Sequence, residues 1–261
     1  MNHALCSRSF VLALILLTGT ASDSVFAQPP PLGKPSISAP SSHGPPDEGQ
    51  ALAEAMRRGD EEKFRRLLEE GANPSAYDVD PLSDTKTPLI AEAARTRRPN
   101  IKLITLLLER GARVDAPTVG GAWNGYTALI HAAQEGQTEL VRLLLKHGAQ
   151  PNYATPDNGH TALMSAAGYP DVVDVLLEAG ARLEAAGRGG RTAASFAGMS
   201  GCRAAFEHLK RLGANVDRKD GGGKSATDYI EGFSSGGVPG GICNPYCVPS
   251  GPVPAGICRP N

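Results

Sequence analysis

Apolar and small residues fall in short blocks along residues 48–231, and five of these blocks close on the same dipeptide. Gly71-Ala72, Gly111-Ala112, Gly148-Ala149, Gly180-Ala181 and Gly213-Ala214 each end a run rich in Leu, Val or Ala, with steps of 40, 37, 32 and 33 residues between the glycines. Inside a block the spacing is helical. In the clearest copy, residues 125–149, Leu129, Ala132 and Ala133 share one face of a short helix opened by Thr127, whose hydroxyl suits the orphan amides of a first turn. Gly136 breaks that helix, and Leu140, Val141, Leu144 and Leu145 line one side of a second. Gly148 supplies the left-handed residue that ends it. A β-turn and hairpin-like loop then leads to the next start. Recurrence at this period predicts a solenoid, because no such unit buries its apolar face alone.

The starts also recur. They read Lys86-Thr87-Pro88-Leu89, Gly125-Tyr126-Thr127-Ala128-Leu129, Gly159-His160-Thr161-Ala162-Leu163 and Gly190-Arg191-Thr192-Ala193-Ala194, with a half-formed Gly223-Lys224-Ser225-Ala226-Thr227 after them. Turn, Thr-led start, two-helix body and Gly-Ala end, in this order and spacing, resemble the ankyrin repeat family. The resemblance implies an all-α ankyrin-repeat solenoid of about five helix-pair repeats with hairpin loops. The repeats fall near 48–80, 84–116, 124–154, 158–187 and 189–219, with a partial cap at 222–231. The first unit lacks the Thr-led start and carries Arg57, Arg58, Glu61, Glu62, Arg65 and Arg66, as a capping repeat facing water should.

Departures from the pattern are local. Residues 75–86 lengthen the first inter-repeat loop and bring Asp78, Asp80 and Asp84. Residues 95–100 (RTRRPN) add length between the two helices of the second repeat, residues 116–124 lengthen the next loop, and the fourth repeat is shortened at 168–170. Such changes map to surface loops, either on a binding side or as tolerated drift.

Ankyrin proteins bind through loop tips and the exposed side of the first helix, which implies candidates by position. The residue before Thr is Lys86, Tyr126, His160, Arg191 or, before Ser, Lys224; the variable position before the double Ala is His131, Ser165 or Phe196. Trp123, the one tryptophan, sits in the longest loop. The resulting partner-binding set is Trp123, Tyr126, His131, His160, Arg191 and Phe196. Trp123 with Tyr126 is the expected anchor, since Trp, Tyr and Arg dominate interface energetics; the alternative is that Trp123 folds onto its own loop. A wall of this length suffices for an interface of roughly 800 Å² per partner.

The ends read differently. Arg8, the apolar residues 10–17 (FVLALILL) and Val25-Phe26-Ala27 read as a secretory signal over 1–27. The apolar run is too short to span a bilayer. Residues 28–47 read as a Pro/Ser-rich disordered linker and 232–261 as a Gly/Pro/Cys-rich tail. The folded segment is therefore 48–231. Cys202, Cys243, Cys247 and Cys258 remain after export, an even number that suggests disulfides of open pairing.

Composition narrows the function classes. A formal net charge of −1 gives no electrostatic argument for nucleic acid. No nucleophile elbow or paired-His metal spacing occurs. The residues 220–225 (DGGGKS) lack the upstream Gly of a phosphate loop and read as a repeat turn. The expectation is a monomeric, non-enzymatic, exported scaffold in the periplasm or outside, without cofactor or metal, that binds a protein partner and does not insert in a membrane. Alternatives are a secreted effector acting on a host protein and a redox enzyme using the tail cysteines. Cys243 and Cys247 lack the two-residue spacing of a redox pair.

Overall fold

The structure, a computed structural model, describes residues 46–235 except residue 81, with side chains over 49–232. The expected signal 1–27, the linker up to residue 45, Cys243, Cys247 and Cys258 lie outside the described residues, as does most of the tail, while Pro46 and Asp47, read as the end of the linker, open the first helix.

Eleven α-helices and one short sheet follow one another among the described residues. They are α1 (Pro46–Arg58), α2 (Glu61–Glu69), β1 (Tyr77–Asp80), β2 (Thr85–Pro88), α3 (Leu89–Ala94), α4 (Ile101–Glu109), α5 (Ala128–Gln134), α6 (Thr138–Lys146), α7 (Ala162–Ser165), α8 (Pro170–Glu178), α9 (Ala193–Met199), α10 (Arg203–Arg211) and α11 (Ala226–Ser235). First helices stack as α1, α3, α5, α7, α9 and α11, while second helices pack α2 on α4 and α8 between α6 and α10. Mostly helical architecture with hairpin loops is what the spacing predicts.

Local sequence explains the boundaries. The Thr127 and Thr161 hydroxyls accept from the amides of Ile130 and Met164, and Thr192 forms a reciprocal cap with Ser195. The closing glycines adopt the left-handed conformation that a side chain disfavours, as at Gly148 with φ 88°. In the fourth repeat the lost residues shorten α7 to a single turn. A 3₁₀ turn at Ala166–Gly168 continues it, and Pro170 starts α8 at a position where its missing N–H costs no helical hydrogen bond.

The core is built from small residues inside and Leu or Val outside. Ala94, Ala128, Ala132, Ala133, Ala166 and Ala197 are fully buried along the first-helix row, and Leu107, Leu140, Leu144, Leu176 and Leu209 along the second. The small side chains permit close approach. At Gly198 an added Cβ would lie 2.5 Å from the Ala226 carbonyl oxygen, so α9 and α11 meet closer than alanine allows.

Residues 75–86 form more than a lengthened loop. β1 and β2 pair antiparallel, with Asp78 opposite Thr87 and Val79 opposite Lys86. The Lys86 and Val119 amides and carbonyls exchange hydrogen bonds of 2.9 and 2.8 Å, which adds a third segment to the hairpin. At its tip Asp80 accepts from the Leu82 amide and the Ser83 hydroxyl, and Leu82 is 96% exposed.

Candidate partner-binding face

Each loop between repeats projects as a finger, and neighbouring fingers are tied together. Beyond the Lys86–Val119 pair, Asn124 donates to the Asp157 carboxylate at 2.8 Å. The Arg188 amide donates to the Asn158 carbonyl at 2.6 Å, and the Gly221 amide to the Gly189 carbonyl at 2.6 Å. The finger row is thus held in one arrangement by backbone and side-chain hydrogen bonds of its own, ahead of any partner.

The residues predicted for binding lie along this row and largely touch one another. Trp123 meets Tyr126 edge-on at 5.1 Å between ring centroids and His131 at 5.5 Å. Tyr126 stacks on His160 at 5.6 Å with an interplanar angle of 16°, and His160 and Phe196 meet edge-to-face at 5.1 Å. Five rings from three consecutive repeats therefore form one ladder. The contact of Trp123 is with the start of its own repeat. It and Phe196 are half-buried, whereas Tyr126, His131 and His160 are 8%, 3% and 6% exposed. The inner three rings are buried and the outer two are partly open to solvent.

Burial sets the protonation of the inner rings. It pushes the Tyr126 hydroxyl up to about 12. Burial, helped by the charge of Arg95, pushes His131 down to about 3, and burial alone pushes His160 down to about 4. Both imidazoles are neutral near pH 7. His131 keeps its Nε2 buried without a hydrogen-bond partner.

Arg191, the sixth predicted residue, lies apart from the ladder. Its Nε is 3.3 Å from Asp220, whose buried carboxylate also accepts from the Tyr229 hydroxyl at 2.7 Å and from the Gly222 and Lys224 amides. Burial alone would raise the Asp220 carboxyl, but these donors hold it below the usual carboxylate range. The Lys224 ammonium sits 5.6 Å from the centre of the Tyr229 ring. Sequence reasoning missed Asp220 and Tyr229. Tyr229 stands four residues after the start residue Ser225, as His131 stands four after Thr127, and that register was the available signal.

A reaction finds little here. His160 Nε2 lies 2.9 Å from the Ser165 hydroxyl, the contact a nucleophilic serine would need. Ser165 is 1% exposed, however, and among the described residues no carboxylate bonds the other ring nitrogen. No group of three or more His, Cys, Asp or Glu side chains suited to a metal ion occurs among the described residues. No described helix is long and apolar enough to cross a membrane.

Comparison with known proteins agrees with this geometry. A family model described as ankyrin repeats (3 copies) matches residues 93–187. The chain carries ankyrin repeats. An E3 ubiquitin-protein ligase of Oryza sativa subsp. japonica, named as probable, is 39% identical over 114 residues, which cover 44% of this chain and 20% of that protein. An ankyrin repeat-containing protein of Treponema pallidum (strain Nichols) is 38% identical over 97 residues, covering 36% of this chain and 30% of its own length. The B-cell lymphoma 3 protein homolog of Mus musculus is 45% identical over 65 residues, covering 25% of this chain and 14% of its own. The match spans only about a fifth of the first rice relative's length.

Proposed function

We propose that the chain is an exported scaffold that binds a partner protein along the finger row and the adjoining first helices, and that catalyses no reaction. The observation that carries this reading is the aromatic ladder from Trp123 to Phe196, which crosses three repeats and ends in half-buried rings at both sides. Large, rigid rings on a preordered row contribute contact area at little conformational cost. Export is supported by Arg8, the apolar residues 10–17 and the small-residue site before residue 28. In an oxidising compartment Cys202 would pair with one of the three tail cysteines; its burial at the start of α10 and the even count of four support that pairing.

Fractionation of cells making the tagged full chain tests export: cleavage near residue 27 and a pool outside the cytoplasm support it, and an uncleaved cytoplasmic pool contradicts it. Release into the medium would favour the effector reading over a periplasmic one. Capture with ladder variants tests binding.

A further inference from the structure

The second cluster with a chemical character of its own lies between the first two repeats and shares no residue with the ladder. A cavity of about 350 Å³ opens between the end of α1 and the turn joining α3 to α4. Arg57, Arg58 and Gly59 line it from the first repeat, and Thr96, Arg98 and Asn100 line it from the second. The residues 95–100 are the added stretch that distinguishes this repeat from its neighbours.

The lining is cationic. Three guanidinium groups and one carboxylate, Glu92, line it; Arg95 pairs with Glu92 at 2.9 Å, and the lining Asn100 donates to the Glu61 carboxylate behind it at 3.3 Å. Arg57 is fixed by Asp78 at 2.6 Å and by Glu54, and Arg58 is held by Glu54 as well. Those two forks are positioned before any ligand arrives. Arg98 has no ion pair with any described residue, so it is the one lining guanidinium without a carboxylate partner. Nothing would touch a Cβ at Gly59, which leaves the α1 turn open to an incoming group.

We propose that this cleft binds a phosphate monoester. Guanidinium forks match the tetrahedral oxygens of phosphate in pairs. A phosphate presents three acceptor oxygens, enough to take N–H groups from Arg98 and the remaining N–H groups of Arg57 and Arg58 together, whereas a monocarboxylate presents two. The Thr96 hydroxyl donates to the Ala93 carbonyl, so the guanidinium groups are the main donors left for the ligand. The cavity is of the size class that accepts small ligands. The phosphate could be carried by a small metabolite or by a phosphorylated side chain of another protein, and the chemistry recognised is the same.

The test titrates the full chain with glycerol 3-phosphate in one arm and a phosphoserine pentapeptide in the other, reading backbone amide NMR shifts. The expected result is saturable shifts at Gly59, Thr96 and Arg98, weakened at least about tenfold by Arg98→Glu and unaltered by Arg188→Glu on a distant finger. Equal affinity in both arms assigns the site to the phosphate group alone, and tighter peptide binding assigns it to a phosphorylated protein; both support the proposal. Absence of saturable shifts in both arms, or affinity unaffected by Arg98→Glu, overturns it. Arg98 is exposed and makes no ion pair, so the variant keeps its fold, and an unchanged melting curve verifies this.

Discussion

Tyr126 and His160 stack face to face across a repeat boundary, 5.6 Å apart and 16° from parallel. They stand 34 residues apart and occupy the same place in successive repeats. The contact couples stability to the binding face, because the rings that order the fingers also pack the solenoid. A double-mutant cycle with Tyr126→Ala and His160→Ala should give a coupling of about 0.5–1.5 kcal/mol in urea unfolding. Strict additivity would mean that the stack contributes nothing beyond burial.

The buried imidazoles make stability depend on pH in a defined direction. Both native pKa values, about 3 for His131 and about 4 for His160, lie below the ordinary histidine value of 6.5. The unfolded chain therefore binds more protons, and stability present above pH 6.5 is lost as pH falls toward the native values. Each imidazole adds a slope of up to about 1.4 kcal/mol per pH unit. His131→Leu should flatten the decline between pH 6 and 5 by up to that amount, while replacing an unpartnered nitrogen with hydrocarbon. Parallel stability–pH curves for variant and parent would contradict the burial of His131.

Gly198 lets α9 lie against α11 more closely than a side chain would allow. Gly198→Ala should destabilise the chain by about 1–3 kcal/mol, since the new methyl meets the Ala226 carbonyl at 2.5 Å and backbone must shift. Higher helix propensity pulls the other way by about 1 kcal/mol, so a net gain in thermal stability would show that α11 yields freely.

Asp220 gathers Arg191, Tyr229 and two finger amides onto one carboxylate. Asp220→Ala should cost about 2–3 kcal/mol and loosen the last finger. Hydrogen exchange at Gly222 and Lys224 reports this directly, and unchanged protection would show that the loop holds without its acceptor.

The sequence makes the repeat unit legible because its signals are local. Thr127 and Thr161 cap the helices they precede, and Gly148 ends the helix before it, each within four residues of its effect. The hairpin of β1 and β2 is less visible, since its outer edge is completed by Val119, which lies 33 residues beyond Lys86. The ladder is harder still. Position alone places Tyr126, His131 and His160 on the exposed side, yet stacking of successive repeats and the Trp123 ring cover them. Contacts between equivalent positions of neighbouring repeats arise from stacking, and no window of a single repeat contains them.

The central claim is that a partner docks on the finger row. The most direct measurement captures proteins from the source cell's envelope and secreted fractions on the immobilised full chain and compares two folded variants. Trp123→Ala with Phe196→Ala removes the half-buried ends of the ladder, and Glu109→Lys with Arg142→Glu reverses charge on α4 and α6. The account predicts a partner that the first variant loses by at least about tenfold and the second retains. Equal capture by both variants, or loss confined to the second, would contradict it.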